Sequence, residues 1–536
     1  MNSRQLVLSS IFLFLLASTV AARPSIKFTV DIRNTKSHMV HVTLVPSGFK
    51  KGNASYQMPI WAPGAYSVTG YGRYIRNFKA ADINGYELPV KQLDSNRWEI
   101  KSGTTVQEID YDVLDSHKDT TSLYFAMANM DTSLFFANAT CLFGYYDDNK
   151  TAPAQVEYQK PVDWKLACAL PPSSKGYVQD TNATFQNTTF YAKDYDVLAD
   201  APILSAPGLV TKSFKEGPAI YDVVLASNIA FGSAKMDSLT EYLRKIVHAE
   251  TDFFHETPYD HYTFEIVAPS LTHMPSMAQG ALEHWNSSDY LLGNFGWSMF
   301  KGAYLPIFSH EFFHLWNVKR IHSNLLGPFD YTKRVMTTSL WMAEGITEYY
   351  AHTLLSRYGI IGPGGFFGGG VEQWRKEMEY SPEAAKTKSL EELSIDESGF
   401  DLEEALLFYS KGPLVALALD IEIRNKTSNK KSLDDVMLAL NNDAKHGKTF
   451  KEDQLIHLVE KYSGVDLTDF YDHYIKGNDS LPLDKYLAMM GLQKSAEGES
   501  EADNGTSKPK EHLGPFDVDP NAPPLATAIR KGIVGK

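Results

Sequence analysis

Residues 305–321 read LPIFSHEFFHLWNVKRI. The apolar spacing predicts a helix over the whole stretch, and His310 and His314, four residues apart, stand on one helical face about 6 Å from each other. Both imidazoles can therefore converge on one metal ion, with Glu311 beside them as a proton acceptor for water. The surrounding Phe308, Phe312, Phe313 and Trp316 place this face in an apolar setting. A buried polar ring there needs a partner, either hydrogen-bond acceptors in an ordinary core or a metal.

Residues 339–358, SLWMAEGITEYYAHTLLSRY, carry the next piece. They predict a second helix with Glu344 in its first turns, among Trp341, Met342, Ile346 and Tyr349. Gly345 would permit close backbone approach between helices, and Gly359 is placed to end this one. A carboxylate from Glu344 added to two imidazoles gives three protein ligands and leaves one position open, the pattern of a catalytic zinc and not of a structural one. With only two cysteines in 536 residues, a cysteine-rich structural site is excluded. Glu348, one turn on, is either an acceptor orienting a ligand histidine or a surface residue.

Composition frames this site. The length predicts several domains. With 43% hydrophobic and 22% charged residues the chain reads as globular, and a formal net charge of -14 without a basic stripe argues against a nucleic-acid partner. Arg4, the apolar run Leu6–Leu16 and the small residues Val20, Ala21 and Ala22 predict a cleavable signal peptide over residues 1–22, hence a secreted or periplasmic product. That run is shorter than the ~20 residues of a membrane span, and none is expected elsewhere. Cys141 and Cys168 are compatible either with one disulfide or with two buried thiols. Asn-x-Ser/Thr triplets run from Asn53 to Asn504 and matter only in a eukaryotic host.

Along the chain, short alternating runs such as 26–32 and 40–45 predict a β-rich domain over residues 23–205. In it, PIWAPGAY at Pro59–Tyr66 reads as a proline-bounded turn with a scaffolding role. Residues 206–395 read as the catalytic domain, with a helix over 237–254 and a strand over 262–267. Residues 396–492 read as a helical domain. The glycine-rich stretch 362–370 reads as a linker, and 493–536 as a polar tail. The fold class is thus α+β and multidomain.

The chain resembles the glycyl aminopeptidase family of gluzincin metallopeptidases. The likeness rests on HEFFHLWNVKRI, on Asp330 and Tyr331, on LWMAEGITEYY, on GALEHWNSS at Gly280–Ser288, on PYDHYTFEIVAP at Pro258–Pro269, and on PIWAPGAY and DYDVLADAP in the β-rich part. It spans Pro59 to Gly491 in pieces. The resemblance implies a thermolysin-like catalytic domain and one Zn²⁺ per chain on His310, His314 and Glu344, with Glu311 as general base. In FYSKGPLV it implies Tyr409 as a transition-state hydrogen-bond donor. In GALEH it implies that Gly280 and Glu283 bind substrate, with Glu283 on an edge strand taking the free α-amino group, although Ala281 replaces a second glycine of the family pattern. Peptides with a free amino terminus, beginning with Gly or Ala, are the implied substrates. The family often ends in a PDZ domain, and the residues after Gly491 are too few for a complete one. Two other readings stay open: an endopeptidase with the same metal site, and a non-catalytic module that captures peptide or glycan.

Overall fold

Alternation of apolar residues along Ser25–Asp31 and Met39–Ser47 turns every second side chain inward, and Phe28, Val30, Val42 and Leu44 are fully buried. In the computed structural model, which describes residues 23–117, 119, 126–171, 188–227, 232–268, 280–292, 300–381, 383–395, 406–495 and 511–535, these strands lie at the centre of a six-stranded sheet. Its order is Thr189–Ala192, Ala154–Gln159, Ser25–Asp31, Met39–Ser47, Val106–Leu114, Ile75–Asp82. Ser25–Asp31 pairs in parallel with Ala154–Gln159 and antiparallel with Met39–Ser47. Two four-stranded sheets complete the amino-terminal half, and one apolar core that includes Tyr56, Trp98 and Tyr111 fills the space between the layers. Cys141 and Cys168 sit in that core as free buried thiols, so no disulfide joins them.

The second half begins with a five-stranded sheet in the order Val210–Glu216, Ala219–Ser227, His261–Ala268, Ser287–Leu291, Gly280–Glu283. His261–Ala268 is buried at every position, as its central place between two parallel neighbours requires. The last strand, Gly280–Glu283, forms the edge and pairs antiparallel with Ser287–Leu291. Helices Ser233–Phe254 and Leu305–Phe313 pack on the sheet; a π-helical turn Trp341–Ile346 running into Thr347–Arg357 packs on those helices, and Lys411–Lys426 packs on it in turn. A β-rich amino-terminal domain followed by a helical carboxy-terminal region is the outcome.

Four details differ from what periodicity predicts. The helix carrying the two histidines ends at Phe313, and residues 314–320 continue as turns in which Lys319 N–H bonds His314 C=O and Ile321 N–H bonds Trp316 C=O. These wider i→i−5 bonds loosen the helix just past the histidines. The glycine-rich stretch is no linker: Gly362–Gly365 and Phe366–Val371 are helical, with Phe366 and Phe367 fully buried. The division at residue 395 does not mark two cores, because one buried cluster runs from Ala219 to Val534. The polar-tail reading fails for residues 511–535: His512–Leu513 and Phe516–Val518 join Leu492–Lys494 in a small sheet, and helix Pro524–Val534 buries Ile529 and Ile533. The strongly polar run before it masked this helix, whose buried Ala526, Ile529, Ile533 and Val534 recur at helical spacing. The signal-peptide residues 1–22 lie outside the described residues. Among the described residues no helix is long and apolar enough to cross a membrane.

The candidate metal centre

His310 and His314 project from the end of the Leu305–Phe313 helix with ring centroids 4.6 Å apart. Each ring is oriented by a bond at Nδ1. His310 Nδ1 lies 2.9 Å from Glu348 Oε2, and His314 Nδ1 lies 2.7 Å from the Asn317 carbonyl oxygen. With a proton on Nδ1 given to those acceptors, both rings present a bare Nε2 inward. Both Nε2 atoms face the same oxygen, Glu344 Oε2, at 3.2 Å from His310 and 3.5 Å from His314. The π-helical turn Trp341–Ile346 brings Glu344 there; such local widenings of a helix recur at functional sites. Asn317 holds the turn in register by donating to the Met342 carbonyl oxygen and to Thr347 Oγ1. Glu348 is thus no surface residue: it accepts from His310 and Trp374 Nε1 and pairs with His352 at 3.1 Å.

His310, His314 and Glu344 are buried and Glu348 partly so, and burial and neighbouring charges pull their protonation in opposite directions. Burial alone would neutralise Glu344, yet the His314 and His310 rings pull its carboxyl far below the usual carboxylate range. His310 is pushed up against its own desolvation by Glu344 and Glu348. Glu311 is raised to about 8, first by burial, with Glu283 and Glu344 adding to the rise and both imidazoles opposing it. Such a crowd of carboxylates around two neutral-capable rings is balanced by added positive charge. The donor set, two imidazole nitrogens and a carboxylate oxygen within 4.8 Å of one another, fits a divalent metal ion.

A second set, Glu283, Glu311 and His314, shares His314 with the first and has the same spacing limit of 4.8 Å. Edge strand Gly280–Glu283 therefore reaches the candidate metal ligands, with Glu283 buried at its end and Gly280 at its start, opposite Leu291. Tyr409 closes another side, its ring 5.5 Å from that of His310. Burial, then Glu344 and Glu311, push its hydroxyl well above the ordinary phenol range, so it stays a donor.

Sequence reading missed four contributors. Lys319, buried in spite of its charge, places Nζ 3.0 Å from Asp200 Oδ1 and 3.7 Å from Glu283 Oε1. His284 next to Glu283 is bracketed by Asp200 and Asp289 at 3.2 and 3.0 Å and is pushed up to about 9, these carboxylates overcoming desolvation. Asp200, Glu283 and Asp289 against Lys319 and protonated His284 leave one negative charge over. Gly64 and Tyr66, from the PIWAPGAY segment taken for scaffold, lie against the site itself. A Cβ on Gly64 would come within 2.6 Å of Glu283 Oε2. No periodicity marks these residues, and the buried lysine in particular has no signature, since a lysine five positions past a histidine is usually solvated.

The segments 27–207 and 303–415 match the family models described as Peptidase M61 N-terminal domain and M61 glycyl aminopeptidase. Among solved structures the chain is similar to an aminopeptidase N family protein from Idiomarina loihiensis, with 24% identity and a TM-score of 0.75 over 88% of this chain and 79% of that one. This likeness concerns the fold. No curated protein matches.

Proposed function

This chain belongs to the M61 glycyl aminopeptidase family, a family of metallopeptidases acting on peptides, and from that premise we propose that it is a zinc-dependent aminopeptidase, exported from the cell, that removes small first residues such as Gly or Ala. The observation that carries the reading is the convergence of His310 Nε2, His314 Nε2 and Glu344 Oε2, with the Glu283 and Glu311 carboxylates on the same His314. The catalytic unit is thermolysin-like in this proposal, with His310, His314 and Glu344 as the zinc ligands. A zinc ion held by these three supplies a Lewis acid that acidifies water and polarises a carbonyl.

The chain's own residues do the rest. With the positive charge of a bound metal ion favouring its ionised form, Glu311 takes the proton from the attacking water and returns it to the departing amine. Tyr409 donates to the carbonyl oxygen as it gains charge, an interaction stronger in the transition state than in the ground state. Glu283, whose neighbour Lys319 is bonded mainly to Asp200, keeps a carboxylate for the substrate's α-ammonium. That pairing limits attack to the first peptide bond.

One observation favours a second reading, an endopeptidase with the same site. A cavity of about 610 Å³ borders Glu283, Lys319, Tyr66, Trp61 and Phe329 but none of the three metal-binding side chains, so space exists next to Glu283 for more than an amino group. Glycyl and alanyl arylamides, tested beside their N-acetylated forms with and without a chelator and zinc restoration, separate the two. Cleavage of the free-amine forms alone, lost on chelation and regained with zinc, is the expected result. Equal cleavage of acetylated forms would replace it with the endopeptidase, and no cleavage of either would leave a binding module.

A further inference from the structure

The loop of residues 59–70 belongs to the amino-terminal domain yet is fastened to the catalytic one. Ile60 N–H bonds the Tyr331 carbonyl, Trp61 Nε1 donates to the Asp330 carbonyl at 2.9 Å, and the Trp61 ring meets Phe329 edge to face. Thr69 and Gly70 N–H groups both bond the Ile60 carbonyl and close the loop on itself. Its tip is thereby pressed on the Glu283 carboxylate at Gly64.

Two features of the next aromatic are unusual. Tyr66 has φ of 52°, a left-handed conformation that a bulky residue adopts only where its surroundings enforce it, and such residues cluster at functional sites. Its hydroxyl is buried and makes no hydrogen bond of normal geometry, although the Glu344 carboxylate is near enough to interact with it. A buried hydroxyl is rarely left so unless something else binds it. Glu344, Glu283 and Tyr409 all act on it, so it belongs to the same cluster as the carboxylate proposed to hold the metal and the one assigned to the α-amino group. The first residue of a substrate would lie next to it.

We propose that Tyr66 is a catalytic residue supplied by the amino-terminal domain, its hydroxyl donating, together with that of Tyr409, to the scissile carbonyl oxygen of the first residue. This rests on the aminopeptidase reading above. It makes the two domains one active site: the catalytic domain brings Glu311 and Tyr409, and the β-rich domain brings a second phenol and, at Gly64, the backbone that lies against the Glu283 carboxylate.

Tyr66→Phe tests it, because the ring and its packing stay and only the hydroxyl goes. Loss of one such donor lowers kcat about 10²-fold, with KM for glycyl arylamide, zinc content and melting temperature at wild-type values. Calorimetric affinity for a free-amine phosphinic dipeptide, whose tetrahedral oxygen mimics the oxyanion, should weaken by a similar factor, while affinity for glycine is unchanged. Wild-type kcat and phosphinate affinity in the variant would overturn the proposal, and so would a loss of activity that merely follows lost zinc or lowered melting temperature. Inactivity of the wild-type enzyme on free-amine substrates would instead sink the aminopeptidase reading.

Discussion

Glu344 and Tyr409 are brought together by two glycines, and filling one of them should break the site without touching a functional group. A Cβ at Gly345 would lie 2.7 Å from Gly412 Cα and 2.8 Å from its carbonyl carbon, and one at Gly412 would lie 2.8 Å from Gly345 Cα. Carbon atoms in contact prefer 3.5–4.0 Å, so Gly345→Ala must part the two backbones by about 1 Å. No side chain can rotate aside, since backbone meets backbone. Overpacking of this kind costs about 1–3 kcal/mol, enough to lower the melting temperature by a few degrees. Gly345 adjoins Glu344 and Gly412 stands three residues after Tyr409, so the same shift carries the phenol away from the carboxylate. Misplacement by about 1 Å can cost about 10²-fold in rate. Calorimetric melting, zinc content and kcat on glycyl arylamide, measured for Gly345→Ala, Gly412→Ala and the double variant, check this. Both single variants should lose stability and kcat, and the double should lose less than the sum, because one displacement relieves both contacts. Gly369→Ala, where a Cβ meets nothing within 4 Å, serves as control. Wild-type melting and kcat in Gly345→Ala would refute the idea that this backbone contact sets the geometry.

Glu348→Gln removes the charged acceptor on His310 Nδ1 and should weaken zinc binding 10–100-fold in chelator competition; unchanged affinity would make Glu348 a packing residue only. Stability should fall from about pH 6.5 to 9. His284 is held at about 9 in the fold, above its unfolded value near 6.5, so its contribution is complete below pH 6.5 and is lost as the ring deprotonates. The limit is about 3 kcal/mol, read by urea unfolding across that range. His284→Gln should flatten the profile, and a wild-type profile already flat there would show that the Asp200–His284–Asp289 cluster does not titrate as a unit of stability.

Much of this molecule is legible locally. Placing His310, Glu311 and His314 on one turn needs only the four-residue spacing of a helix, and the inward Phe28, Val30, Val42 and Leu44 need only the two-residue period of a strand. Glu344 among apolar neighbours is marked as buried by the same reasoning. What the tertiary structure decided are encounters between residues far apart in the chain: Tyr66 near Glu344, Asp200 on Lys319, Gly345 on Gly412, and helix Pro524–Val534 on the Arg357 end of the Glu344-bearing helix. Periodicity reports which face of an element is apolar and says nothing of which partner covers it, and a buried charge is tolerated only by the partner it finds in three dimensions. For that reason a lysine that reads as solvated and a turn that reads as scaffold both lie at the centre of the site.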